Sequence, residues 1–290
     1  MHSSTVVLES QPDWLTAVFV GQKTTAAVSA RVQALMRSER VGGNRELPFR
    51  CNEYTGTRCG RVRAGQTAAH LLVQLSGDLA ALYLDWFRAR ATYITRLDLA
   101  VTVQTTGYAP DIARDSYFAA SAYRTEHPRS AVPSLVLNGA GGSTCYIGKR
   151  TSDRYFRAYD KQAECKASGD QAGAERYLWA WRFELELHDD EAAIVAHTLP
   201  PLPHRPAWIS AYIHTYLVNH GVTPIWNPQM PPIHVSGFRR RTDRESRLDW
   251  LSRSVAPTVR WLIDSTPRDE LMNRLGLSDT SGGDNGNAHD

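Results

Sequence analysis

The sequence predicts an α+β protein: a mostly antiparallel sheet backed by helices up to about residue 200, then a helical C-terminal region. Two observations carry this. Several stretches alternate polar and apolar residues with a period of two, which is how half-buried strands read. They include Arg96-Leu97-Asp98-Leu99-Ala100-Val101 and Trp181-Arg182-Phe183-Glu184-Leu185-Glu186-Leu187. After residue 200 the period becomes helical, with Ile209, Tyr212, Ile213, Tyr216 and Leu217 on one face.

Taken in order, residues 1–12 are polar and read as loose, and Asp13 to Val20 reads as a strand. A helix is expected over about Thr24–Arg37, broken at Val41-Gly42-Gly43-Asn44. Cys59–Ala64 and Ala68–Leu75 read as paired strands. Leu79, Leu82, Tyr83 and Trp86 then follow helical spacing, with Asp78 placed to cap. Tyr93–Gln104 is a strand, and Pro110 opens a helix reaching about Tyr123.

Leu135–Leu137 begins another strand, and Asn138 to Gly142 is a glycine turn without dinucleotide-binding or P-loop spacing. A hairpin follows: Thr144 to Arg150, a turn at Thr151-Ser152-Asp153, then Arg154 to Lys161. Lys161 to about Tyr177 is a charged helical connection with a break near Ser168-Gly169-Asp170, leading into the Trp181–Leu187 strand. Glu191–His197 is a short helix, and Pro200, Pro201, Pro203 and Pro206 form a stiff joint. Further helices are expected over about Thr242–Ser254, from Pro257, and over Pro267–Leu275, before a Gly/Asn/Asp/Ser-rich tail that reads as disordered. The expected organisation is an α+β core over 13–200, a helical region over 201–276 and a tail over 277–290.

The 33 basic and 30 acidic residues leave a net charge of +3, too weak a bias to prove a nucleic-acid partner by itself. The four cysteines contain no CxxC pair, which argues against a zinc site. No N-terminal apolar segment and no long apolar run is present, so a cytoplasmic protein with reduced thiols and no membrane partner is expected.

Chemistry concentrates on the alternating strands. Side chains at every second position share a face, which groups Arg157, Tyr159 and Lys161, and likewise Arg182, Glu184 and Glu186, and Arg96 with Asp98. A phenol flanked by cations suits attack on a phosphodiester, because the cations stabilise a phenolate or orient the phosphate. Tyr146 and Tyr155 compete with Tyr159 for that role. Charged residues in such strands are seldom buried unless paired or bound to metal. Asp98, Glu184 and Glu186 therefore read either as partners of Arg96 and Arg182 or as oxygen ligands for a hard cation, Mg²⁺ or Mn²⁺. Arg239-Arg240-Arg241 is the densest basic run and a candidate phosphate contact.

Four runs in fixed order resemble the replication initiation factor family. They are Thr95-Arg96-Leu97-Asp98-Leu99-Ala100, Tyr146 to Ser152, Arg157-Ala158-Tyr159-Asp160-Lys161-Gln162-Ala163-Glu164 and Arg182-Phe183-Glu184-Leu185-Glu186. Asp13-Trp14-Leu15-Thr16 and the late Trp250-Leu251 to Val255–Val259 resemble the family's edges, so the resemblance spans roughly residues 13–265. The family comprises rolling-circle initiators of plasmids, with phage replication proteins and relaxases of integrative elements as relatives. The resemblance implies a tyrosine replication-endonuclease fold, a DNA nicking–joining activity at an origin, single-stranded at the nick, and carboxylates in place of a histidine metal site. It points to Tyr159 as nucleophile, with Lys161 and Arg157 beside it, and to Asp98 and a glutamate of Arg182–Glu186 as metal ligands. Thr102 departs from the pattern, standing where a second aspartate is expected. A relaxase for conjugative transfer and a non-catalytic DNA-binding regulator are the alternatives; a host helicase partner and a homodimer are left open.

Overall fold

A computed structural model describes residues 5–21, 28, 45–47, 51–56, 60–66, 70–106, 111–137, 142–235, 252, 267 and 270, without the side chains of 45–70. The chain divides into a compact unit through Phe238 and a second over Arg239–Asp290. The expected helix at 24–37, the glycine turn at 138–141, the Arg239–Arg241 run and the helices beyond it lie outside the described residues, Val28, Gly142 and three isolated positions apart.

The strands are β1 (Thr5–Val20), β2 (Arg45–Leu47), β3 (Cys51–Gly56), β4 (Gly60–Gln66), β5 (His70–Ser76), β6 (Tyr93–Thr105), β7 (Pro133–Leu137), β8 (Ser143–Ile147), β9 (Arg154–Asp160) and β10 (Ala180–His188). Among the described residues they form one sheet in the order β2-β3-β4-β5-β1-β6-β10-β9-β8-β7. Every described pairing is antiparallel. The α+β class therefore stands. The helices are α1 (Asp78–Arg88), α2 (Ile112–Glu126), α3 (Lys161–Ala167), α4 (Gln171–Arg176), α5 (Asp189–Thr198) and α6 (Arg205–Val218).

The first correction concerns residues 1–12. From Thr5 onward the chain is strand, paired with β6 from Thr105 back to Leu99, with register shifts at Val7/Glu9, Pro12/Trp14 and Thr16/Ala17. Such irregularities, one of them at Pro12, break the period-two pattern that a sequence reading depends on. A second correction concerns Asp78. Gly77 holds the N-cap position with φ 61, and Asp78 is the first helical residue, accepting a hydrogen bond from Gln11 Nε2 at 3.2 Å. The caps that do form are Asp111 for α2, Asp160 for α3 and Asp170 for α4, each accepting from a backbone N–H three residues on at 2.9–3.0 Å.

One face of the sheet is apolar and covered by helices. Leu97, Leu99, Val101 and Val103 of β6, Phe183, Leu185 and Leu187 of β10 and Phe156 and Ala158 of β9 are buried there. Phe183 lies 4.7 Å from Trp226 and Phe156 5.8 Å from Tyr216, ring centre to ring centre. Those partners belong to α6 and the segment after it, so α6, expected in a separate helical region, is part of the core unit. Arg154 also points to this side, pairing with the buried Glu191 Oε1, which Tyr212 joins at 3.0 Å. The alternate residues of the same strands make the other face, and there the charges collect.

Candidate active site

Antiparallel register sets residues of neighbouring strands side by side on one face. One row runs Thr144–Tyr159–Arg182–Thr102 across β8, β9, β10 and β6. The next runs Tyr146–Arg157–Glu184–Ala100, and a third runs Tyr155–Glu186–Asp98–Trp14, reaching β1. Thus the fold brings Asp98, Arg157, Tyr159, Glu184 and Glu186 onto one face from strands separated by up to 88 positions in sequence (186 − 98).

Glu184, only 2 % exposed, stands at the centre. Its Oε1 accepts from the Tyr159 hydroxyl at 2.6 Å and from Arg182 Nε at 2.8 Å, and its Oε2 accepts from Arg157. Burial opposes ionisation, but the Arg157 and Arg182 guanidiniums outweigh it and hold the carboxyl below its usual range. Arg182 is itself fixed by Asp13 at 2.6 Å, Glu9 at 3.4 Å and the Thr102 hydroxyl at 3.2 Å. Thr102 therefore serves the arginine.

Tyr159 donates into this network from the end of β9, and Asp160 behind it caps α3, fixing the chain at the nucleophile candidate. Burial first, and the Glu184 charge second, push the phenol well above its ordinary pKa, so it rests neutral. Arg157 lies over the Tyr159 ring at 5.8 Å. Lys161 stands where the helical connection was expected to begin. The strand ends at Asp160, and Lys161 opens α3, with Nζ 2.6 Å from Glu164 and 5.6 Å from the Tyr177 ring centre.

The second carboxylate group is different. Arg96 binds Asp98 through Nε at 2.9 Å and Nη2 at 2.7 Å, and the same Nη2 lies 2.9 Å from Glu186 Oε2. Burial pushes the Asp98 carboxyl up to about 6 despite the Arg96 charge. Glu186 Oε1 and His188 Nε2, both buried, lie 2.9 Å apart, within ion-pair distance, and neither atom has another partner. His188 was missed in the sequence; continuing the alternation Arg182, Glu184, Glu186 by two residues finds it. Among the described residues no three such side chains stand together in metal-binding geometry. Asp13, Asp98, Glu184 and Glu186 nevertheless outnumber Arg96, Arg157 and Arg182.

With this geometry in place, comparison with known proteins decides the family. The replication initiation factor family matches residues 92–275, more than half of the chain. The chain belongs to that family. Its matched span includes every strand of the charged face except β1. A solved rolling-circle replication initiator protein from Geobacillus stearothermophilus is similar at 17 % identity and a TM-score of 0.40, over 86 % of this chain and 96 % of that one. No curated protein matches. Among the described residues no helix is long and apolar enough to cross a membrane.

Proposed function

We propose that this replication initiation factor starts rolling-circle replication by nicking one strand at its origin and joining itself to the 5′ end. The observation that carries the reading is a tyrosine hydroxyl held 2.6 Å from a buried carboxylate, with an arginine beside it, on the sheet face that also bears Asp98 and Glu186. In the reaction the Tyr159 oxygen forms a bond to phosphorus while the bond from phosphorus to the 3′ oxygen breaks in line. The phenol gives up its proton, and Glu184 Oε1 is the atom already accepting it. The 3′ oxygen takes a proton and becomes the primer end. The phosphotyrosyl link keeps the energy of the broken bond, so rejoining needs no nucleotide cofactor.

Arg157, half-exposed above the carboxylates, is placed to hold the scissile phosphate. Arg182 is a positioning residue, held out of reach of substrate by Asp13, Glu9 and Thr102 while it fixes Glu184.

The divalent cation is proposed for the neighbouring group, whose carboxylate oxygens Arg96 holds as they stand. Asp98, Glu186 and His188 carry oxygen and nitrogen donors of the kind such an ion takes, and Arg96 already bridges the two carboxylates as a positive charge. Bound there, Mg²⁺ or Mn²⁺ would offset charge developing on the phosphate. Glu184, saturated by three donors, is not in that donor set. Residues 239–276 are the proposed origin-docking region, with Arg239, Arg240 and Arg241 contacting duplex phosphates.

The test is to incubate the protein with single-stranded origin oligonucleotides and Mn²⁺, then look for a DNA-shifted band on a denaturing gel. A protein that binds the origin but forms no such adduct under any metal condition is a regulator, and the proposal is then wrong.

A further inference from the structure

Two tyrosines on the charged face remain without a part in that chemistry. Tyr146 of β8 and Tyr155 of β9 stack with ring centres 5.4 Å apart and planes 12° apart. Neither belongs to the helix-covered core. Their strand neighbours Cys145, Ile147 and Phe156 point into it and are fully buried, so Tyr146 and Tyr155 face the other way and are half-buried. Arg150 lies 5.9 Å over the Tyr155 ring from the tight turn that Gly148 begins with φ 97, and Lys149 and Arg150 are both exposed. Beyond Tyr146, toward the sheet edge, its partner Ser134 and the next residue on that face, Val136, are exposed. The pair is therefore an aromatic step at the open end of the row that leads through Arg157 to Glu184.

An aromatic pair edged by cations complements a nucleobase and its phosphate: the ring takes the π-face of any base and the cation takes the charge. The spacing fits. Tyr155 lies four residues before Tyr159 on one strand face, roughly 13 Å away, within reach of the same single strand. Trp14, at the opposite end of the Tyr155–Glu186–Asp98 row, is a poorer seat, because Arg96 lies 4.9 Å over its ring and its Nε1–H donates to Thr16.

We infer that the Tyr146–Tyr155 stack seats one base of the single strand that runs to the scissile phosphate, with Arg150 on a phosphate beside that base. The inference rests on the nicking reading for its substrate, but it is tested without any cut. Fluorescence anisotropy in EDTA compares binding of labelled oligothymidylate with an abasic deoxyribose-phosphate strand of equal length. Wild type should prefer the strand with bases. Tyr155→Ala and Tyr146→Ala should each shrink that preference roughly 5- to 100-fold, whereas Tyr155→Phe and Tyr146→Phe should retain it. Because the readout is a ratio for one protein, a general loss of fold or charge does not mimic it. Photocrosslinking to 5-iododeoxyuridine should mark the peptide holding Tyr146 or that holding Tyr155. No preference for bases in wild type, or the same preference in both alanine variants, overturns the inference. A failed adduct assay with this preference intact overturns only the nicking reading.

Discussion

Replacing Tyr159 by phenylalanine removes one oxygen and tests the centre of the chemistry. The hydroxyl donates to Glu184 Oε1 at 2.6 Å, and that oxygen keeps the Arg182 Nε–H at 2.8 Å while Oε2 keeps Arg157. The carboxylate thus stays paired, and the loss is one hydrogen bond to a charged acceptor, about 1.5–3 kcal/mol at most. For a chain of this size that lowers the melting temperature by roughly 3–12 °C, which leaves a folded protein at assay temperature. Origin binding should change little, because phosphate contacts elsewhere supply it. Adduct formation should disappear, since nothing else in line can replace the phenol oxygen. Tyr146→Phe and Tyr155→Phe should keep the adduct, as their hydroxyls lie on other rows of the sheet. Denaturing gels give the yield, and mass spectrometry of the digested wild-type adduct gives the site. An adduct from Tyr159→Phe, or a nucleotide on the Tyr146 or Tyr155 peptide, refutes the assignment.

Three further outcomes are expected. Mn²⁺ at about a hundred times its Kd should stabilise the wild type by about 2.7 kcal/mol in a thermal scan. Asp98→Asn and Glu186→Gln should lose that shift along with nicking, and Glu184→Gln should keep it; a full shift in both of the first two variants would remove the metal assignment. Replacing Arg239, Arg240 and Arg241 together with alanine should weaken origin-duplex binding and reduce its salt slope by about one per lost phosphate contact, leaving oligonucleotide cleavage nearly intact. An unchanged slope would place docking elsewhere. Burial pushes the Cys145 thiol up to about 12, so its thiolate fraction at pH 8 is on the order of 10⁻⁴. Iodoacetamide should spare it in the native protein and label it in urea, as peptide mapping would show; rapid native labelling would contradict the burial.

The sequence by itself determined the faces of the strands. A period of two leaves little choice about which side chains share a surface, so Arg157 with Tyr159, and Arg182 with Glu184 and Glu186, were legible before any pairing was known. The same rule, carried two residues further, reaches His188. It also began a helical connection at Lys161, where the capping aspartate Asp160 does turn strand into helix. It missed the start of β1, where register shifts at Val7/Glu9 and Pro12/Trp14 scramble the period. Only the tertiary structure decided which neighbours each carboxylate has. Glu184 and Glu186 are two residues apart on one face and look equivalent in sequence. Register sets Glu184 opposite Arg157 and beside Tyr159, and sets Glu186 opposite Asp98. Three donors saturate the first, while the second shares Arg96 with Asp98 and has its other oxygen 2.9 Å from His188 Nε2. That difference comes from neighbours on other strands, and local sequence carries no record of them.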